Sequence, residues 1–361
     1  MKHLFKDIKN KFRSASRVKP VYVLGRLKYK ITRSNKLAYT PWYLHIEPTN
    51  YCNFVCVTCS RRTLKRVGHL TLEKFKLILD QFPYLITVKI QGMGESLMNP
   101  EYISMLKYAK SKNIKTTAIH NGTLINKNNV DDLVRNLDFV IFSIDGGTVE
   151  TFQNIRGVPF FNEIINNIKL FVERRNSLRP DMGISVNMVC TKDNYLEVTL
   201  VVKLVHELGI DHMTVHLMAD WSADDTTHEE TRRAYKDNSV LDLVDFYRVA
   251  DEAKQLGREL DVSVNIAPDR LFKARISDCP KPWENTYITW DGYVTPCCNR
   301  PDPDQFTFGN IFEKSFKEIW NSEKYIAFRN AIKKNQCPVI CKNCSLETYT
   351  KQVEAYKRCQ N

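Results

Sequence analysis

The sequence lacks the continuous apolar run of roughly 18 residues that would indicate a membrane-spanning helix. Its N-terminus is charged and has no apolar segment typical of a secretory signal, so we predict a cytoplasmic protein. Internal repeats and low-complexity tracts are also absent, which leaves no sign of a repeat architecture. The 361 residues, 43% of them hydrophobic, suit a packed protein with one large and one small domain.

Acidic residues are nearly missing from residues 1–40, where Asp7 is the only one. Twelve Lys or Arg against this one acid give the segment a charge of +11, out of a net +12 for the whole chain. The basicity therefore belongs to an N-terminal arm and not to a general nucleic-acid surface, and we expect no nucleic-acid partner.

Apolar side chains of the arm fall at helical spacing between Met1 and Phe12, with Lys and Arg around them. This pattern predicts a short basic amphipathic helix. Three interpretations remain open: a helix packed on the rest of the protein, contact with an anionic membrane surface or a lipid-linked substrate, or contact with an acidic protein or peptide. The second would make the protein peripheral at the membrane.

The eleven cysteines are not distributed like a disulfide framework. Three lie near residue 55, seven lie after residue 278, and Cys190 stands alone between the two groups. In a reducing compartment, clustered thiols of this kind indicate metal ligands.

Apolar runs alternate with segments of helical period from about residue 43 to residue 217. This alternation predicts an α/β fold with a parallel sheet, and six strand–helix units predict an open or partial barrel with functional groups at the C-terminal ends of its strands. The predicted strands are Tyr43–Ile46, Val88–Gln91, Thr116–His120, Phe139–Ser143, Ile184–Val189 and Met213–Leu217.

The C-terminal part has a different texture, with cysteines, turns and short elements. We predict a basic arm over 1–40, a core domain over 41–270 and a small cysteine-rich domain over 271–361. Residues 218–240 form a polar insertion, which is either a loop over the barrel mouth or an ordinary solvated loop. A long helix near 241–256 and a short strand near 262–266 follow it.

Cys52, Cys56 and Cys59 form a Cys-x3-Cys-x2-Cys motif directly after the first predicted strand. Three thiolates on one loop can bind three irons of a single [4Fe-4S] cubane and leave the fourth iron open for a substrate. A structural zinc site would require four ligands, so the alternative is a zinc knuckle that borrows a distant ligand.

The motif and the strand after it resemble the radical S-adenosylmethionine (SAM) superfamily. Gly92-Met93-Gly94-Glu95 is similar to the glycine-rich motif of that family. The resemblance implies that SAM chelates the open iron, that one electron converts it to methionine and a 5′-deoxyadenosyl radical, and that this radical abstracts a substrate hydrogen atom. Gly94 would let the backbone approach the methionyl end of SAM, and the Glu95 carboxylate suits its ammonium group. The electron would come from an external donor of flavodoxin or ferredoxin type.

Asn121 and Ser143 stand at the ends of the third and fourth predicted strands, where the family places contacts to SAM, and Asn187 lies in the fifth. Asn121, Ser143 and Asn187 are therefore candidate SAM ligands, although each could also be an ordinary strand-end residue. Thr58 occupies a position that is often aromatic in the family and packs near adenine. Adenine must here be held mainly by other strands.

Cys279 and Cys297 flank a predicted hairpin with an Asp-Gly turn, and Cys341 and Cys344 form a Cys-x2-Cys pair. The hairpin would bring the first two thiols together. Two such pairs make a four-thiolate site for zinc or for a complete [4Fe-4S] cluster, and the spacing alone does not separate these two ligands.

The same region resembles the SPASM/twitch extension of radical SAM enzymes, which implies that this site carries an auxiliary [4Fe-4S] cluster, the second of two. The chain lacks the dense cysteine stretch of the two-cluster pattern and fits the single-cluster version better. Cys337 could replace one of the assigned ligands. Further matching residues are Trp283, Asp291-Gly292, Gly309-Asn310 and Ile319-Trp320, and the whole resemblance covers about 43–345.

These features predict a radical SAM enzyme of a biosynthetic pathway, an oxidoreductase whose auxiliary cluster accepts an electron from the substrate. A redox-neutral epimerase is the first alternative, with Cys190 as hydrogen donor unless this thiol is a buried core residue. Modification of a ribosomal peptide is another, although no segment resembles a leader-peptide domain. A non-catalytic iron–sulfur carrier or zinc scaffold would not need Gly94 and Glu95.

Overall fold

The computed structural model describes residues 34–218, 229–240, 242–267, 275–342 and 344. The predicted helix of the basic arm and residues 219–228 of the polar insertion lie outside the described residues, as does Cys359. Among the residues described, no helix is long and apolar enough to cross a membrane.

Seven parallel strands lie side by side in chain order and form the core sheet. They are β1 (Tyr43–Ile46), β2 (Thr87–Ile90), β3 (Lys115–His120), β4 (Phe139–Ser143), β5 (Gly183–Cys190), β6 (His212–Leu217) and β7 (Ser263–Ile266). The predicted parallel α/β sheet is confirmed, and the short strand near 262–266 extends it beyond β6.

Helices follow the strands and cover the sheet. They are α1 (Leu72–Asp80), α2 (Tyr102–Ser111), α3 (Val130–Asn136), α4 (Val149–Arg156), α5 (Phe161–Leu178), α6 (Val198–Glu207), α7 (Glu229–Asn238) and α8 (Leu243–Glu259). The Thr148 hydroxyl caps α4 by accepting from the Thr151 N–H, and Gly157 ends this helix at φ +72°, a left-handed conformation that suits glycine.

The two faces of each core strand have different neighbours because side chains alternate along a strand. One face packs under the helices and is mostly apolar, as Val186 and Met188 show on β5. The opposite face, which includes Asn187 and Val189, lines a cavity. This alternation decides which polar residues reach the site.

The C-terminal region continues the same sheet. Strand β8 (Tyr287–Ile288) pairs in parallel with β1, and β9 (Tyr293–Thr295) and β10 (Gly309–Asn310) follow in antiparallel order. The predicted hairpin is confirmed as β8–β9, with Gly292 in its turn at φ +91°. The helices of this region are α9 (Lys281–Glu284), α10 (Phe316–Trp320) and α11 (Glu323–Lys333).

Glu47 joins the core sheet to this C-terminal hairpin. Its buried carboxylate accepts hydrogen bonds from the Tyr287 hydroxyl at 2.8 Å and from the Met93 N–H at 3.0 Å. Burial raises the pKa of Glu47, and these donors offset only part of that effect. One side chain thus connects the end of β1, the glycine-rich loop and β8.

Candidate active site

A cavity of about 520 Å³ lies on the inner side of the core sheet, within the roughly 300–1,000 Å³ typical of small-molecule sites. The cysteine loop, the glycine-rich loop and alternate residues of β2 to β6 line it. Its lining includes Cys52, Cys56, Cys59, Lys89, Gly94, Glu95, His120, Asn121, Ser143, Asp145, Arg156, Asn187 and Asn299.

The structure brings the three thiols of the first motif to this cavity. Cys56 is buried, and Cys52 and Cys59 are partly exposed. The loop is fixed from outside by α4, because the Val57 N–H donates to the Ile155 carbonyl at 2.9 Å. The predicted ligands therefore share one wall and one anchoring helix.

The chemistry of these thiols fits a cluster. Burial raises the pKa of Cys52 to about 11 and also raises that of Cys59, so iron must displace protons from them. No group of His, Cys, Asp or Glu in the described part of the chain is arranged to hold a single metal ion. A cubane offers a separate iron to each thiolate, so its ligands need not converge on one point.

The packing of two loops explains why residue 94 is a glycine, whereas the sequence suggested that the glycine lets the backbone approach SAM. A Cβ at this position would lie 2.1 Å from the Tyr51 carbonyl oxygen, in the residue before Cys52. The neighbouring Glu95 N–H donates to the same oxygen at 2.8 Å. Gly94 thus allows the glycine-rich loop to pack against the cysteine loop, while it still lines the cavity.

The Glu95 carboxylate is buried and mostly engaged. One oxygen, Oε1, lies 2.6 Å from His120 Nδ1 and accepts from the Leu97 N–H at 3.2 Å, and Oε2 accepts from the Asn121 N–H at 2.7 Å. Burial acts to raise the pKa of Glu95, but the attraction of His120 and these hydrogen bonds outweigh it and lower the pKa. Since a carboxylate has about four acceptor positions, one remains for an ammonium group.

The remaining candidate SAM ligands fall into two types. Asn121 supports the cysteine loop, because its Nδ2 donates to Asn53 Oδ1 at 2.8 Å. Ser143 and Asn187 pair side by side on β4 and β5, and neither side chain has a hydrogen-bond partner among the described residues. Thr58 also lines the cavity. Ser143 and Asn187 are therefore the members of the set with free donors and acceptors.

Cys190 is separated from this cavity. It is fully buried at the end of β5, on the helix-facing side, whereas its neighbour Val189 lines the cavity. Burial raises its pKa well above the usual value, and the nearby charge of Asp145 adds to the effect. In the structure Cys190 is therefore a small buried core residue, as in the alternative interpretation of the sequence.

Arg156, which the sequence patterns did not single out, contacts the first cysteine motif. Its Nη1 lies 3.7 Å from Cys56 Sγ, and its Nε lies 2.9 Å from Asp145 Oδ2. A cation beside a thiolate stabilises negative charge on the cluster it would hold. The only feature of the sequence that could have indicated this contact is Gly157, which follows Arg156, ends the helix and packs on Val55 of the cysteine loop.

The four C-terminal candidates form a second group of interacting thiols, Cys279, Cys297, Cys341 and Cys344. Burial raises the pKa of Cys279 to about 12, and the charges of its cysteine neighbours add to this. None of the four lines the cavity described above. Four thiols closed off in this way fit a fully ligated cluster.

Two other cysteines of the region differ in position. Cys337 is exposed, but its charge acts on Cys341. Cys298 points to Lys281, whose Nζ lies 3.6 Å from its Sγ. Burial would raise the pKa of Cys298, but Lys281 and a hydrogen bond from His45 outweigh it and lower the pKa well below the usual value.

Arg300 holds the two halves of the second thiol group together. Its guanidinium donates to the Ile340 carbonyl and to the Lys342 carbonyl, both at 2.6 Å, on either side of Cys341. The residue follows Cys297 by three positions. No sequence pattern indicated this contact, since its partners lie 40 or more residues away.

Family models match the two regions that carry these thiols. Residues 46–194 match the radical SAM superfamily, and residues 279–345 match the iron–sulfur cluster-binding domain called SPASM. The chain belongs to the radical SAM superfamily. As a radical SAM protein with a SPASM domain, it uses iron–sulfur clusters and SAM, and it needs a reductant and a substrate.

Relatives of this radical SAM protein differ in what they act on. The chain is 27% identical to the tungsten-containing aldehyde ferredoxin oxidoreductase cofactor-modifying protein of Pyrococcus furiosus, over 84% of this chain and 87% of that one. It is 25% identical to an AdoMet-dependent heme synthase of Methanosarcina barkeri, over 84% and 90%. Its fold is similar to that of Streptococcus suis SuiB bound to the precursor peptide SuiA, with a TM-score of 0.64, 22% identity and coverage of 82% and 68%.

Proposed function

We propose that this radical SAM enzyme oxidises its substrate by dehydrogenation or bond formation in a biosynthetic pathway. The first cluster, held by Cys52, Cys56 and Cys59, would supply the electron for SAM cleavage, and the auxiliary cluster would be the acceptor for an electron from the substrate. In total the substrate would give up one hydrogen atom, one electron and one proton. The electron used to cleave SAM would come from a flavodoxin- or ferredoxin-type donor.

One observation carries this proposal. Asn299 lines the cavity and lies two residues after Cys297, so the wall of the cavity is continuous with the four-thiol group. The four thiols themselves are outside the cavity. This arrangement suits electron transfer from a substrate radical without contact between the substrate and the auxiliary iron.

Residues of the cavity wall would hold the first cluster and orient SAM. Cys52, Cys56 and Cys59 would hold the first cluster. The unused acceptor position of Glu95 would receive the SAM ammonium, and the free polar groups of Ser143 and Asn187 would contact its carboxylate or ribose.

Epimerisation has less support. A hydrogen donor must approach the substrate radical, and Cys190 lies on the far side of β5 from the cavity. The relatives support a substrate that is either a cofactor or a peptide, since their names include both kinds.

The proposal is tested with anaerobically reconstituted enzyme, a reductant and SAM in deuterated buffer. Candidate peptides and cofactor precursors are offered, and the products are weighed by mass spectrometry. Oxidation predicts a product that has lost hydrogen and gained no deuterium at the reacting carbon, with 5′-deoxyadenosine formed alongside. A product of unchanged composition that carries deuterium would instead support epimerisation.

A further inference from the structure

Lys89 is a cation inside the barrel that the preceding roles do not use. It lies in β2 between the buried apolar residues Val88 and Ile90, on the opposite face, and its side chain lines the cavity. In the described part of the chain its ammonium forms no hydrogen bond and no ion pair. A buried ammonium without a partner is costly, because desolvation penalises the charged form.

The carboxylates of the cavity cannot serve as its partner. Among the described lining residues there are two, Glu95 and Asp145. Glu95 lies 2.6 Å from His120, and Asp145 lies 2.9 Å from Arg156. Glu95 is therefore already engaged by the His120 ring and Asp145 by the Arg156 guanidinium, and neither carboxylate contacts Lys89.

Cys298 acts electrostatically on Lys89, but this thiol already contacts another lysine. Lys281 Nζ lies 3.6 Å from Cys298 Sγ, a hydrogen-bond distance for sulfur. Lys281 is also attracted by thiols of the second group, namely Cys279, Cys297 and Cys344. The Lys89 ammonium, in contrast, makes no direct contact with an anionic group among the described residues.

The position of Lys89 separates it from the SAM-orienting loop. It precedes Gly92 by three residues, which places it about 10 Å deeper along an extended chain at about 3.3 Å per residue. Its register neighbours are His45 on β1 and Thr117 on β3, and His45 in turn pairs with Tyr287 of the C-terminal hairpin. Lys89 thus faces the part of the cavity that lies towards the SPASM domain.

We propose that Lys89 binds a carboxylate of the substrate, so that the substrate class is a carboxylic acid. One unmatched positive charge requires one negative charge, which a carboxylate supplies at neutral pH. Phosphate would bring nearly two charges and usually needs further donors, such as a second cation or a helix N-terminus. That the bound acid is the substrate rests on the proposed function, whereas the binding of a carboxylate at Lys89 does not.

The test uses holoenzyme with oxidised clusters and saturating SAM, kept anaerobic. Acetate, acetamide and inorganic phosphate are titrated separately and followed by saturation-transfer NMR. We expect acetate to bind wild-type protein more tightly than either of the others, and Lys89→Met to weaken acetate binding by about tenfold or more, as for a charged hydrogen bond. Lys89→Arg should restore most of the binding.

The matched control is Lys115→Met, which removes the same charge from an exposed position on the adjacent strand β3. It should leave acetate binding unchanged. Equal binding of acetate and acetamide, tighter binding of phosphate, no binding to wild type, or unchanged acetate binding in Lys89→Met would each overturn the proposal. So would a loss of SAM affinity in Lys89→Met, because the carboxylate would then belong to SAM.

Thermal unfolding of the substrate-free protein gives an independent readout. Lys89→Met keeps the length of the side chain and removes an unmatched buried charge, so its midpoint should rise. A lowered midpoint with normal iron content would show that Lys89 is structural and would also overturn the proposal. Failure of the proposed function is distinguishable, because it would show as a product of unchanged composition that carries deuterium, while acetate binding remained.

Discussion

The two cysteine groups use the same side chain in contrasting surroundings. Cys52, Cys56 and Cys59 lie on the wall of an open cavity, together with two carboxylates that are each paired with a neighbouring side chain. The four SPASM cysteines are set behind that wall and are tied together by backbone contacts of Arg300. Three thiols would leave one iron of a cluster open, whereas four thiols would leave none open. The comparison indicates that the number of thiols and the access from the cavity, more than the ligand type, would separate a reactive site from the electron-accepting site that we propose.

Removing the first group should have the largest effect. The triple variant Cys52→Ala/Cys56→Ala/Cys59→Ala should lose all SAM cleavage and retain about four of about eight irons per chain, those of the auxiliary site. Iron and 5′-deoxyadenosine are measured after anaerobic reconstitution. Cys190→Ala is the control and should keep all its iron. A triple variant with its full iron content would show that the first motif is not a cluster site.

Removing the second group should abolish product but not radical generation. Cys341→Ser should lose the auxiliary cluster, about four irons, and still form 5′-deoxyadenosine in the absence of coupled oxidation. Cys337→Ser is the matched control, because Cys337 is exposed and outside the assigned set. If Cys337→Ser loses the auxiliary cluster and Cys279→Ser does not, the set of ligands has to be changed.

Glu95 sharpens the comparison at the open site. Glu95→Gln preserves the shape of the side chain but removes the charge that would receive the SAM ammonium. We expect SAM affinity to fall by about tenfold or more, since a charged hydrogen bond contributes roughly 1.5–3 kcal/mol, while iron content stays constant. The measurement is a SAM titration of the cluster spectrum. Glu101→Gln, a carboxylate change nearby but outside the cavity, should have no effect.

Arg300 offers the smallest and most local change, at the closed site. Arg300→Met would leave the Ile340 and Lys342 carbonyls without their donor, which we expect to lower the free energy of unfolding by about 3 kcal/mol. Denaturant unfolding of the holoenzyme measures this loss, together with faster release of auxiliary iron. Lys107→Met, which removes an exposed ion pair with Asp132, should cost about 1 kcal/mol or less. Equal losses in both variants would contradict the role given to Arg300.

The sequence was most informative for features formed by residues that are close together along the chain. Strands, the cysteine motif and the hairpin are local patterns, and each was predicted close to its observed range. Contacts between distant segments were not predictable in this way. Arg156 lies 100 residues from Cys56, and His120 lies 25 residues from Glu95, and no periodicity connects either pair.

Strand faces explain the remaining differences. A parallel strand covered on both sides gives little alternation in its sequence, so the inward face cannot be recognised from hydrophobicity alone. The sequence therefore left Cys190 as either a hydrogen donor or a buried core residue, and the structure places it on the face of β5 opposite to the cavity-lining Val189. Lys89 could have been recognised as a candidate from the sequence, because a lysine is unusual inside a strand whose neighbouring residues are buried and apolar.

The parallel pairing of β8 with β1 has a consequence for how the chain can be divided. Without β8, the backbone amides and carbonyls on that side of Tyr43–Ile46 would become an unprotected sheet edge of mostly apolar residues. Such edges recruit strands from other molecules. A shortened protein that ends before the SPASM domain would therefore keep every ligand of the first cluster and yet self-associate, because its solubility depends on two residues contributed from the far end of the chain.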